Sequence, residues 1–248
     1  CFMKPLLRWL ALALLALLAL QLLFVGRIAA MAVLAPESTA FQRSEAWAQI
    51  IGPEPLHWRQ QWVAYADISE HLKRAVITAE DDSFTQHEGI DWNAMDKAWE
   101  RNAKAQAKAQ AKAQAKAQAT AQVPAAKVRG GSTITQQLAK NLLLSSERTL
   151  VRKGQELLLT LLLEKLLSKQ RILEIYLNNV EWGQGVFGAE AAAQHYFKKS
   201  AARLAPNEAA RLAVMLPAPK RFEKNPGSAY LSGRTRAIAG RMRNAQLP

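Results

Sequence analysis

Residues 9–25 read WLALALLALLALQLLFV, an apolar run broken only by Gln21. With Gly26 and the apolar residues 28–35 that follow Arg27, the stretch approaches the about 20 residues that a membrane-spanning helix needs. Lys4 and Arg8 precede it, and positive charge on the short N-terminal side places that side in the cytoplasm. The expected layout is a cytoplasmic segment 1–8, a transmembrane anchor 9–34 and the remaining chain across the membrane. A cleaved signal peptide is the competing reading, with Ala29, Ala30 and Ala32 as small residues near a cleavage site. Signal h-regions run to about 7–15 residues, shorter than this stretch, which favours an uncleaved anchor. No lipobox accompanies Cys1, which reads as part of an extended start before Met3.

Length suits one catalytic domain with an appendage, since the chain has 248 residues, and an apolar content of 50% permits a real core. The single cysteine excludes an internal disulfide and a cysteine-based metal cluster. Against these stands a formal charge of +13. Such a charge suits nucleic acid, an anionic membrane surface or a phosphorylated substrate. Its position separates them. Lys4 and Arg8 precede the anchor and Arg27 lies within it, and Lys104, Lys108, Lys112 and Lys116 sit in one repeat. With the basic domain outside the cytoplasm, nucleic acid is not an expected partner.

Residues 35–60 carry Pro36, Pro53 and Pro55 and read as a stalk ahead of a domain at 61–248. Residues 62–65 suggest a short strand or an extended lead-in. Ser69 reads as an N-cap for a helix with Leu72, Ala75, Val76 and Ala79 on one face, running out at Glu80. The AKAQ repeat within 103–122 is rich in helix formers, yet its lysines repel at i,i+4 and it lacks an apolar stripe. It reads as a solvated, partly helical insertion. Further helices are expected at 133–144, 149–167, 169–178 (capped by Ser168), 189–197, 206–216 and 229–244, with Pro217 and Pro219 as stops. The LLLTLLL segment between Glu156 and Glu164 is too short to span a bilayer, so it is buried in a core or dips into the interface. Sustained alternation is missing, so the fold class is mostly α.

Three clusters carry chemistry. Glu80, Asp81 and Asp82 crowd one helix end, where mutual repulsion raises a carboxylate pKa and suits a general base. Gly130 and Gly131 precede Ser132, Thr133, Gln137 and Lys140, offering backbone N–H groups and hydroxyls to an anion. Arg148, Arg152, Lys153 and Glu156 combine cations with a carboxylate at the head of an apolar segment, which suits a diphosphate and a bound metal. Taken singly, each has a plainer reading: a solvated acidic helix end, a capped glycine turn, an i,i+4 ion pair. His87 and His195 are too far apart in sequence to suggest a metal pair, and Trp182 and Phe187 read as packing residues.

Together the clusters resemble the family 51 glycosyltransferases, the peptidoglycan glycosyltransferases. EDDSFTQHEG at 80–89 is similar to that family's EDxxFxxHxG motif, GGSTITQQLAKN at 130–141 to its GGSTITQQ motif, and RKGQE at 152–156 to its RKxxE motif. Residues 168–197 resemble two later blocks. Lys97 and Trp182 depart from the usual Arg and Phe.

The resemblance implies a lysozyme-like lobe joined to a smaller membrane-associated jaw, in a member without a transpeptidase domain. It implies polymerisation of lipid II, with glycan on undecaprenyl diphosphate as donor and the GlcNAc 4-hydroxyl of lipid II as acceptor. Glu80 would be the base and Glu156 would help stabilise the departing diphosphate. Ser132, Gln137, Lys140, Arg148 and Lys153 would bind donor sugar and diphosphate. Mg²⁺ or Mn²⁺ would assist, with the Glu80 vicinity the place to look and no ligand set assigned. The implied setting is the bacterial inner membrane with a periplasmic catalytic domain, and the implied protein partners are cell-division proteins. A lysozyme-like hydrolase also uses a catalytic Glu. The cationic cluster separates the two, because a hydrolase has no diphosphate to hold.

Overall fold

The computed structural model describes residues 3–53, 55–116, 131–145, 147 and 149–248. Helix α1 (Met3–Ala30) is apolar over its length, with none of its most apolar window buried, and is long enough to cross a membrane. Its lower end is not lipid-facing. Ile28 and Met31 are buried in the protein core, and Arg171 donates at 2.8 Å to the carbonyls of both Met31 and Leu34. A span reaching to 34 is therefore too long: the helix ends at Ala30, and its last turn belongs to the domain.

Helix α2 (Ala40–Ile50) corrects the stalk reading of 35–60. Thr39 and Gln42 form a capping box whose two residues are fully buried. Pro36 and Pro53 lie outside this helix and bound it; they do not keep the segment extended. Most expected helices appear in place: α3 (Glu70–Glu80), α4 (Trp92–Lys116), α5 (Ile134–Leu143), α6 (Leu150–Leu166), α7 (Lys169–Asn179), α8 (Ala189–Phe197), α9 (Pro206–Met215), α10 (Pro219–Lys224) and α11 (Ala229–Arg241). Ser69, Thr133, Thr149 and Ser168 each cap as a hydroxyl should, accepting from an N–H two or three residues on. Pro219 differs from expectation. It opens α10, because proline's fixed φ and missing N–H cost nothing in a first turn.

Strands are few and short. β1 (Arg59–Gln60), β2 (Glu181–Gly183) and β3 (Val186–Phe187) form a sheet in the order β1-β3-β2, with β1 parallel and β2 antiparallel to β3. The strand thus precedes the 62–65 segment suggested by sequence. There the Asn178 amide holds both backbone groups of Val63, at 2.9 and 3.0 Å.

One core joins these parts. α3 packs against α9 and α11, while α5 packs against α2, α6 and α7. In α6 the LLLTLLL segment does two things. Leu159, Thr160 and Leu163 are buried, whereas Leu157, Leu158 and Leu161 face outward. α4 is continuous through Lys116 and presents Trp92, Met95 and Trp99 to the outside; the rest of the expected insertion, 117–122, lies outside the described residues.

Candidate active site

Glu80 is the last residue of α3, and the loop after it folds back against the start of α5. Asp81 organises that return. Its Oδ2 accepts from the Ile134 N–H at 3.0 Å, a carboxylate at a helix N-terminus where the dipole favours it. Its Oδ1 meets His87 Nε2 at 2.9 Å. Gly89 N–H donates to His87 Nδ1 at 3.1 Å, so Nδ1 is the acceptor and Nε2 carries the proton donated to Asp81. Gly89 has φ +83°, and a Cβ there would meet Thr160 Cγ2 at 2.7 Å and Glu164 Cγ at 2.8 Å. Thr133 Oγ1 donates to the Gly89 carbonyl at 2.6 Å, stitching the first motif to the second.

Those contacts place Glu80 beside α5. Gln137 Nε2 donates to Glu80 Oε2 at 2.8 Å, and Tyr176 Oη donates to Gln137 Oε1 at 3.0 Å. Tyr176 is buried, so its hydroxyl fixes which end of the amide faces Glu80. Burial pushes the Glu80 carboxyl above its usual value; the Gln137 bond opposes this and the Asp81 charge adds to it. Burial, reinforced by Glu80 and Asp81, also holds the Tyr176 hydroxyl well above its usual range, so it stays a donor.

Gln137 also borders a cleft of about 370 Å³ that Ser132, Lys140, Lys153 and Glu156 line as well. Five of the residues expected to act on the donor side thus share one space; Arg148 lies outside the described residues. Glu156 is only 3% exposed and is held by Arg152 Nη1 at 2.7 Å and by Lys153 Nζ. Arg152 was legible as an i,i+4 partner, but its seat in the cleft comes from the fold. Phe41, Ser44 and Glu45 of α2 line the same cleft. Nothing in their local spacing signalled this, because α2 reaches the cleft by packing on α5.

Asp81, His87 and Asp91 bring one ligand atom each within 4.8 Å of one another. The group does not suit Mg²⁺. Asp81 is taken by Ile134 and His87, and Asp91 by the Ala94 N–H and the Ser83 hydroxyl. A hard cation needs open oxygen ligands in near-octahedral array. Both Glu156 oxygens are likewise held by cations. Among the described residues, these carboxylates serve the fold and the cationic cluster.

A raised carboxyl, linked by one glutamine to a cleft built from cations and a buried carboxylate, fits a transferase that deprotonates an acceptor and receives an anionic leaving group. The comparisons agree. Residues 48–243 match the family described as Transglycosylase, and the chain belongs to that family. It is 48% identical to the biosynthetic peptidoglycan transglycosylase of Paraburkholderia phytofirmans over 231 residues, 93% of this chain and 88% of that one. It is 47% identical to the protein of the same name from Herminiimonas arsenicoxydans over 247 residues, 99% of both chains.

Proposed function

We propose that this transglycosylase polymerises lipid II into glycan strands by the following division of labour. Glu80, ionised, takes the proton of the acceptor GlcNAc 4-hydroxyl. The freed oxygen attacks the anomeric carbon of the donor sugar; the new glycosidic bond forms as the bond from that carbon to the lipid diphosphate breaks, inverting the centre. Lys140, Arg148, Arg152 and Lys153 receive the departing charge, acting on where charge develops. Glu156 keeps Arg152 and Lys153 in place as well as balancing them. Ser132 and Gln137 bind the donor sugar and diphosphate.

The observation that carries this reading is Gln137, which touches Glu80 and borders the cationic cleft. The divalent cation expected for the family would arrive on the substrate's own diphosphate, since Mg²⁺ commonly binds through phosphates and retained waters and not through an all-protein cage. An N-terminal apolar helix fits a single-pass anchor. The positive charges at Lys4 and Arg8 support a cytoplasmic N-terminus, a periplasmic catalytic domain and residence in the inner membrane. Division proteins are the partners such a location would bring within reach.

Incubation of the full chain with lipid II and Mg²⁺, followed by sizing of the glycan, tests the reading. Polymer that is absent with Glu80→Gln supports it. Shortening of preformed glycan with no consumption of lipid II would instead favour a hydrolase.

A further inference from the structure

Helix α2 precedes every motif that carries the family resemblance, yet it walls the donor-side cleft. Its N-terminal cap is buried, and the helix packs on α5. Phe41 packs edge-on to Phe187 of β3, ring centroids 6.4 Å apart. Glu45 Oε2 lies 2.5 Å from Lys220 Nζ of α10. Three contacts to three different elements make α2 a fixed wall. It lends the cleft Phe41, Ser44, whose hydroxyl donates to the Ala40 carbonyl at 3.0 Å and keeps its lone pairs as acceptors, and Glu45, in a lining shared with Arg152 and Lys153.

Those three groups are the chemistry of sugar recognition and not of diphosphate recognition. An aromatic ring packs on the apolar side of a hexose, and a carboxylate accepts from ring hydroxyls in the stronger, charge-assisted class of hydrogen bond. A bare carboxylate would repel a diphosphate, but Lys220 balances this one. Burial alone would pull the Lys220 ammonium down; Glu45 and Glu181 outweigh it and leave the group above its usual value. Glu181, 3.4 Å from the same nitrogen, is itself pushed up to about 7 by burial against the pull of Lys220.

We propose that α2 forms the sugar-recognising wall of the donor-side cleft, with Glu45 accepting from a hydroxyl of the glycosyl group and Lys220 as its positioning residue. This rests on the glycosyltransferase reading above and adds a specificity element outside that family's motifs.

The test compares two probes with the full chain in detergent: a short polyprenyl diphosphate bearing the disaccharide, and the same polyprenyl diphosphate without sugar. Glu45→Ala should weaken the sugar-bearing probe about tenfold, about 1.4 kcal/mol, and leave the sugar-free probe unchanged. Lys153→Ala should weaken both. Lys220→Met should reproduce the Glu45→Ala pattern, the double variant should be no worse than either single one, and Lys220→Arg should restore binding. Equal losses on both probes, or no loss on either, would overturn the proposal. Ser44→Ala, on the exposed side of α2, gives a second reading of the same discrimination should Glu45→Ala fold poorly. The glycosyltransferase reading stands or falls separately, on whether the wild type makes polymer.

Discussion

Gln137 donates to Glu80 at 2.8 Å while accepting from Tyr176 at 3.0 Å, so one amide joins the carboxyl proposed as the base to the cleft proposed to hold the leaving group. Tyr176 comes from α7, which also holds the Val63 backbone through Asn178. The orientation of Glu80 is thus set through Gln137 by α7, a helix that carries none of the proposed site residues.

Replacing Glu80 by Gln should abolish polymerisation and leave the fold intact. General-base removal costs on the order of 10²–10⁴-fold in rate. Because the folded carboxyl is raised, its ionised form is disfavoured by folding, so the neutral Gln should not lower the melting temperature at pH 7. Glycan sizing and thermal unfolding of the same preparation check both halves.

The acid limb of kcat/KM should fall at a pH above the ordinary carboxylate value of 4.5, because Glu80, as the proposed base, would have to lose its proton and burial holds that proton on. The Gln137 bond stabilises the ionised form. Gln137→Ala should therefore move the limb to still higher pH, beyond any loss of rate at the plateau. A limb that stays put, or moves to lower pH, would separate Gln137 from the titration of Glu80.

Gly89→Ala should destabilise the domain by about 2–5 kcal/mol, the sum of a left-handed backbone penalty and overpacking. The added methyl meets Thr160 and Glu164 of α6, so the damage falls where the first motif packs against the helix that carries Glu156. Urea unfolding measures it. A Gly89→Ala protein as stable as wild type would show that the loop relaxes freely.

Gln21 and Gln155 exchange hydrogen bonds of 3.2 and 3.0 Å, pinning α1 to the helix that carries Glu156. Gln21→Leu should cost about 1 kcal/mol of stability in detergent micelles, typical of an interhelical amide in an apolar setting. Most of that should return in the double variant with Gln155→Leu, because an unpaired amide is worse than none. Equal loss in single and double variants would mean the pair contributes nothing specific.

The helices were largely legible because their signals are local. A hydroxyl two or three residues ahead of an N–H, a proline in a first turn and an apolar face at 3.6-residue spacing act within one or two turns. Motif spacing likewise named Glu80, Gln137, Lys140, Lys153 and Glu156. The stalk reading missed α2 because proline content describes the flanks of a segment and not what its middle can pack against. Pro219 showed the same limit, since one residue stops one helix and starts the next.

By itself, then, the sequence determined the apolar first helix, the mostly helical class and which side chains are candidates for the chemistry. The tertiary structure decided what those side chains face. Asp81 caps a helix 53 residues away, Gln137 meets a carboxylate 57 residues away, and Gln21 finds its amide partner 134 residues away. No local pattern encodes such contacts, because they arise only when separate apolar faces are buried against one another. The α2 wall of the cleft is a product of that burial, and so is the desolvation that raises Glu80.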